Sequence, residues 1–108
     1  RFDVSQFSSV IYFQFNNSAV NFGTATAHDA IFITNSTERM RISSVGNVVI
    51  NAGGLATNAT DGFLYIPSCA GTPTGTPTTF SNRCPLVVDR TNNKLYFYSG
   101  GAWRDAGP

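Results

Sequence analysis

The side chains suited to acid–base, nucleophilic or metal chemistry are few: Asp3, Asp29, Glu38, Asp61, Asp89 and Asp105, a single His28, and the pair Cys69 and Cys84. Glycoside hydrolysis needs two carboxylates placed to flank the scissile bond. Here the acids are scattered, most of them at strand ends or turns, where a short acid bonds nearby backbone amides. A Ser-His-Asp arrangement would have to use His28, which lies in a Thr-Ala-His-Asp turn with nothing to orient it. One histidine and one cysteine pair do not complete a tetrahedral metal set. Gly53-Gly54 and Gly100-Gly101 lack the strand-to-helix context of a phosphate loop. The expectation is a protein that is not an enzyme and carries no metal or cofactor.

Binding has better candidates. Tyr96, Tyr98 and Trp103 cluster near the C-terminus, and sugar faces stack on exposed aromatic rings; the alternative is that these rings pack against a neighbouring chain or close the end of the molecule. Arg39 and Arg41 share one face of a short segment and could meet an anionic glycan. The stronger reading pairs them with Glu38 or with Asp residues of adjacent chains. Cys69 and Cys84 flank a Gly/Thr/Pro-rich loop; a disulfide there would contribute about 3 kcal/mol by loop entropy, and two separate thiols are the alternative. Asn-x-Ser/Thr sequons at Asn16, Asn35 and Asn58 are about as many as the Ser/Thr content produces by chance.

Composition narrows the class. The 108 residues amount to one small domain or two very small ones, whose lone core would bury only a modest share of surface. Charged residues are 12%, about half the usual share, and aromatics are 13%. A net charge of +1 leaves no electrostatic footprint for nucleic acid or anionic membrane. No apolar run approaches the roughly 20 residues of a membrane span, and no secretory leader opens the chain, so a soluble protein without membrane insertion is expected. The chain opens on Arg1 and not on methionine, which leaves open whether more polypeptide precedes it.

The elements that must position these residues read as strands. Residues 10–15 alternate, with Ile11, Phe13 and Phe15 against Tyr12 and Gln14, and Asn16-Asn17 ends the run. Residues 19–22 form a weaker strand closed by Gly23. Residues 30–34 are apolar on both faces, as in strands covered on two sides. In 39–43, Met40 and Ile42 alternate with Arg39 and Arg41, and residues 48–51 answer them across a Gly46-Asn47 turn. Small residues and glycines over 52–61 read as a linker, cut near Gly53. Phe63, Leu64, Tyr65 and Ile66 form a compact apolar strand stopped by Pro67. A doubled Gly-Thr-Pro-Thr over 71–78 excludes helix and favours a stiff polyproline-like arm. Residues 85–89, 94–98 and 102–104 resume strand, joined by Asn92-Asn93 and by Ser99-Gly100-Gly101. The fold class is all-β, built from short antiparallel strands and hairpins, with an N-terminal strand-rich region over 1–52 and a small C-terminal β module over 53–108.

Two stretches carry a family likeness. Thr37-Glu38-Arg39-Met40-Arg41-Ile42 followed by Gly46-Asn47-Val48 resembles the T-E-R-M-R-I…G-N-V hairpin of tailed-bacteriophage tail fibres and tailspikes. Family members often continue Gly-Ile-Gly where this chain has Val49-Ile50-Asn51, and nothing after Ile50 resembles their self-cleaving chaperone domain. The second stretch, from Asp61 to Pro73 and from Pro85 to Trp103, is similar to C-terminal modules of phage virion proteins with a Leu-Tyr-x-Tyr…Trp hairpin. The resemblance implies a structural virion protein, assembled in the host cytoplasm. It would be part of a fibre or spike in which three identical chains intertwine in a prism-like core and attach to a host surface. Its partners would be two further copies, other virion proteins and a host-surface glycan; it also argues against the disulfide, since such proteins fold in a reducing cytosol. A small glycan-binding β-sandwich and a virion decoration protein without receptor contact are the alternatives.

Overall fold

A computed structural model describes residues 11–15, 18–78 and 80–107. The chain divides into two compact units, one ending at Phe63 and one beginning at Leu64. Among the described residues all regular structure is β, nine strands in three sheets without a helix. Val10, the Asn16-Asn17 turn with its sequon, and Asp3 lie outside the described residues.

In the first unit β1 (Ile11–Phe15) pairs antiparallel with β2 (Val20–Thr24), setting Phe13 opposite Phe22 and Phe15 opposite Val20. Side chains alternate across a strand, so these four share one face while Gln14 and Asn21 occupy the other. There the Asn21 amide donates to Gln14 Oε1 at 3.4 Å. The second sheet is β3 (Ala30–Thr34), β4 (Thr37–Ile42) and β5 (Val48–Ile50), antiparallel in that order. Thr34 pairs with Thr37, leaving Asn35 and Ser36 as a two-residue loop with φ of 50° and 57°. Positive φ at both positions is what a type I′ turn needs to match the twist of its strands. Phe32 pairs with Met40 and Ile33 with Glu38, which makes Arg39 the extra residue of a β-bulge.

The hairpin from Thr37 to Ile50 forms where its pattern places it. Ser43 donates its N–H to the Asn47 carbonyl at 2.8 Å, and Gly46, at φ +100°, donates to the Ser43 carbonyl at 2.9 Å. The division between units falls after Phe63 and not near Gly53, because the supposed linker folds back on β5. Asn51 Nδ2 donates to the Gly62 carbonyl at 2.7 Å. Gly62, at φ +95°, has no room for a Cβ, which would meet Asn51 Nδ2 at 2.8 Å and Leu55 at 2.9 Å.

The second unit is one sheet in sequence order: β6 (Ser68–Cys69), β7 (Leu86–Asp89), β8 (Lys94–Ser99) and β9 (Ala102–Asp105). All pairs are antiparallel except β6 with β7, where Ser68 faces Val88 and Cys69 faces Asp89. Residues 63–66, expected as a strand, join no ladder among the described residues. The ladder reaches no further back than Pro67, whose carbonyl accepts the Val88 N–H at 3.1 Å. Continuing that register would need a Pro67 N–H for the Leu86 carbonyl, which proline does not have.

Asp89 holds this unit together and is fully buried. Its Oδ1 accepts the N–H groups of Gly71 (3.0 Å), Thr91 (2.9 Å) and Asn92 (3.2 Å), and its Oδ2 accepts Asn92 Nδ2 at 2.8 Å. One carboxylate therefore ends β7, shapes the turn into β8 and anchors the base of the Gly/Thr/Pro arm. These bonds, the Asn92 side chain first, hold its carboxyl below the usual range despite burial. The arm is pinned again where Trp103 Nε1 donates to the Gly75 carbonyl at 2.7 Å. Because Trp103 is the one tryptophan of the chain, its fluorescence reports this unit. The Asp89→Asn variant, which puts an NH2 donor among donors, is expected to lower the Trp103-detected Tm by on the order of 10 °C; an unchanged Tm would remove Asp89 from this role.

Candidate functional site

The apolar side chains of the first unit are where its surface is unusual. Phe13, Phe15 and Phe22 are 58%, 68% and 67% exposed, and Val20 beside them is equally open. The rings meet edge to face, Phe13 with Phe15 at 5.1 Å and with Phe22 at 6.0 Å between centroids. Phe22 then meets Phe32 of the next sheet at 6.4 Å. Ile31, Ile33, Val48 and Val49 are exposed as well. Among the described residues Tyr96 is the only buried apolar side chain, and it belongs to the second unit. At the junction Phe63, Leu64 and Tyr65 continue the pattern, Tyr65 reaching 87% exposure. Nor do the backbone groups of 63–66 pair with any described residue.

The charged residues of β4 have partners within the chain. Arg41 forks between Glu38, which accepts Nε at 2.9 Å and Nη2 at 2.6 Å, and Asp29, which accepts Nη1. Asp29 also accepts the Ser44 N–H at 2.7 Å, so the cluster ties the start of β3 to the β4–β5 turn. Its carboxyl is held low by the Ser44 amide and then by Arg41; that of Glu38 is held low by Arg41, whose own pKa rises in return. Arg39 donates instead to Thr34 Oγ1 at 2.7 Å. Spacing alone exposed the Glu38–Arg41 pair, whereas Asp29 sits 12 residues from Arg41 and is brought in by the β3–β4 pairing. His28 Nδ1 lies 2.9 Å from Thr26 Oγ1.

In the second unit the three aromatics do not form one open platform. Tyr96 is buried, and Tyr98 and Trp103, each half-buried, pack edge to face at 5.3 Å across β8 and β9. Cys69 and Cys84 are both free thiols. Cys69 Sγ donates to the Gly71 carbonyl at 3.2 Å, beside the Asp89 hub, and Cys84 is exposed. Lys94 pairs with Asp105 at 2.6 Å, which raises the pKa of the amine and lowers that of the acid.

Comparison with known protein families, with curated proteins and with solved structures finds no match. The site is therefore argued from its geometry.

The Asp29–Arg41–Glu38 cluster has a pH signature. Both carboxyls lie below their unfolded values of 3.8 and 4.5. Their stabilising contribution is complete above those values and is lost as pH falls through the lower folded ones. Acid unfolding of the wild type should therefore show this loss below pH about 4.5. Arg41→Gln should lower stability by a constant amount across pH 6 to 8, where the wild-type contribution is complete, and move the acid midpoint upward. An acid midpoint unmoved by that substitution would show that the cluster contributes nothing.

Proposed function

We propose that the chain is a structural subunit of a trimeric virion fibre or spike of the kind that attaches to a host surface, assembled in the host cytoplasm and without catalytic activity. The observation that carries this reading is the open aromatic face of β1 and β2. Fully burying a large apolar side chain is worth about 1.5–3 kcal/mol, so each of these rings, 58% to 68% exposed, would gain about 1–2 kcal/mol on being covered. Immobilising a partner costs about 4–15 kcal/mol. One ring cannot meet that cost, and a shared face of four side chains per chain can.

The unpaired segment 63–66 supports the same reading from the backbone side. Its N–H and C=O groups pair with no described residue and its side chains are apolar, which suits a strand completed by another copy. Three copies, and attachment to a host, follow from the resemblance of the hairpin Thr37 to Ile50 to tail-fibre segments. The low share of charged residues, 12%, fits a surface that is largely covered on assembly.

Sedimentation equilibrium at micromolar concentration tests this. The expected mass is three times the 11.6 kDa of one chain, falling to a single chain in the double variant Phe13→Ser, Phe22→Ser. Amides of residues 63–66 should exchange slowly in the assembled wild type and fast in that variant. A wild-type chain that stays monomeric would overturn the proposal.

A further inference from the structure

We propose that the second unit carries a binding site for an acidic sugar of the hexuronic type, with Arg83 receiving its carboxylate. A hollow of about 410 Å³ is lined by Asn82, Arg83, Cys84, Tyr98, Ser99 and Gly100, a size within the range of small-ligand sites. A second hollow, of about 280 Å³, shares Arg83 and Cys84 and adds Pro77, Phe80 and Pro85.

The charge balance of the unit singles out Arg83. Its cations are Arg83, Arg90, Lys94 and Arg104, and its carboxylates are Asp89 and Asp105. Asp89 is buried among amides and Asp105 is taken by Lys94. Arg90 donates to Ser68 Oγ, and Arg104 donates to the carbonyls of Ser99 and Gly100. Arg83 makes no ion pair or hydrogen bond with a described residue; its guanidinium lies over the Phe80 ring at 5.4 Å from the centroid. That contact restrains a cation beside the hollow and leaves its donor fork unspent. Arg104 brings a second positive group to the rim through Ser99 and Gly100.

The backbone points to the same place. Phe80 and Asn82 adopt φ of 58° and 64°, and a bulky residue such as Phe rarely takes a left-handed conformation. Such outliers collect where a loop is shaped for a ligand.

The lining decides between anions. A guanidinium matches a carboxylate through two parallel N–H···O bonds. A free phosphate would use Arg83, Asn82 and Ser99 and leave the half-buried Tyr98 ring without an apolar partner, whereas a sugar acid also sets its apolar face on that ring. The inference deepens the attachment reading and rests on it for the origin of the sugar; binding itself is measured apart from assembly.

Titration of the isotope-labelled chain with D-glucuronate, followed by amide chemical shifts, tests it. Saturable shifts are expected at residues 82–84 and 98–100, with glucose at least tenfold weaker. Arg83→Gln should weaken glucuronate binding at least tenfold at unchanged Tm, and Arg83→Lys should restore only part, since it returns the charge without the fork. Acetate or inorganic phosphate matching glucuronate would reduce the hollow to an adventitious anion site and overturn the proposal, as would equal binding of glucose or undiminished binding by Arg83→Gln. A monomeric chain that binds glucuronate refutes the assembly reading alone, and a trimer that does not bind it refutes this one alone.

Discussion

A sheet of two or three short strands has two faces and too little chain to cover either, and that constraint governs the first unit. β1 and β2 place Phe13, Phe15, Phe22 and Val20 on one side, and no described element of the unit buries them. Polar groups cannot remedy this, since Gln14 and Asn21 already occupy the opposite side. Among the described residues the sheet is a single layer, short of the two from which stable β architecture is built.

Lacking an apolar core, both units are organised by charged or polar fasteners at strand ends. In the second unit Asp89 gathers Gly71, Thr91 and Asn92 around one carboxylate, and in the first Asp29 and Glu38 gather on Arg41. The two devices differ in environment. Asp89 is fully buried and neutralised only by N–H dipoles, so removing its charge leaves donors without acceptors. The Arg41 cluster is partly open to water, where screening makes such pairs worth less. The second unit is accordingly the more self-sufficient of the two, with the one buried apolar side chain, Tyr96, lying over its sheet.

What could be read beforehand followed from local rules. Alternation located β1 and β4, apolar runs bounded by turn residues located β3, β7 and β8, and the turns at Gly46 and at Gly100-Gly101 were legible because few other residues tolerate positive φ there. Residues 63–66 misled because apolar, β-prone character reports a liking for a strand and not the presence of a partner. The ladder ends at Pro67, which has no N–H for the Leu86 carbonyl. The linker reading of 52–61 failed for a related reason: small residues mark irregular backbone, but only the Asn51–Gly62 bond shows that it folds back. Asp29 and Asp89 read correctly as acids bonded to backbone amides, while the fourfold coordination of Asp89 needed Gly71, which the sequence separates from it by 18 residues. Arg83 carried no sequence signal, since its interest lies in the absence of a nearby carboxylate.

The contrast between the units bears on how such a molecule divides its labour. Exposed rings and an unpaired strand segment are liabilities in an isolated chain, because they invite pairing with any β edge. They become specific only where the partner is a copy presenting the same geometry in fixed register, as closed symmetry provides. A surface receptor site has the opposite requirement: it must hold its shape before and after assembly. In this chain most of the exposed large apolar side chains lie in the first unit and at the junction, with Phe80, Leu86 and Leu95 in the second, whereas Tyr98, Ser99 and Gly100 stand on or beside the sheet fixed by Asp89 and Trp103. Assembly drawn from one unit and recognition from the other would therefore make separate demands on the sequence, so that the loop bearing Asn82 and Arg83 could vary without disturbing the face on which the strands of β1 and β2 depend.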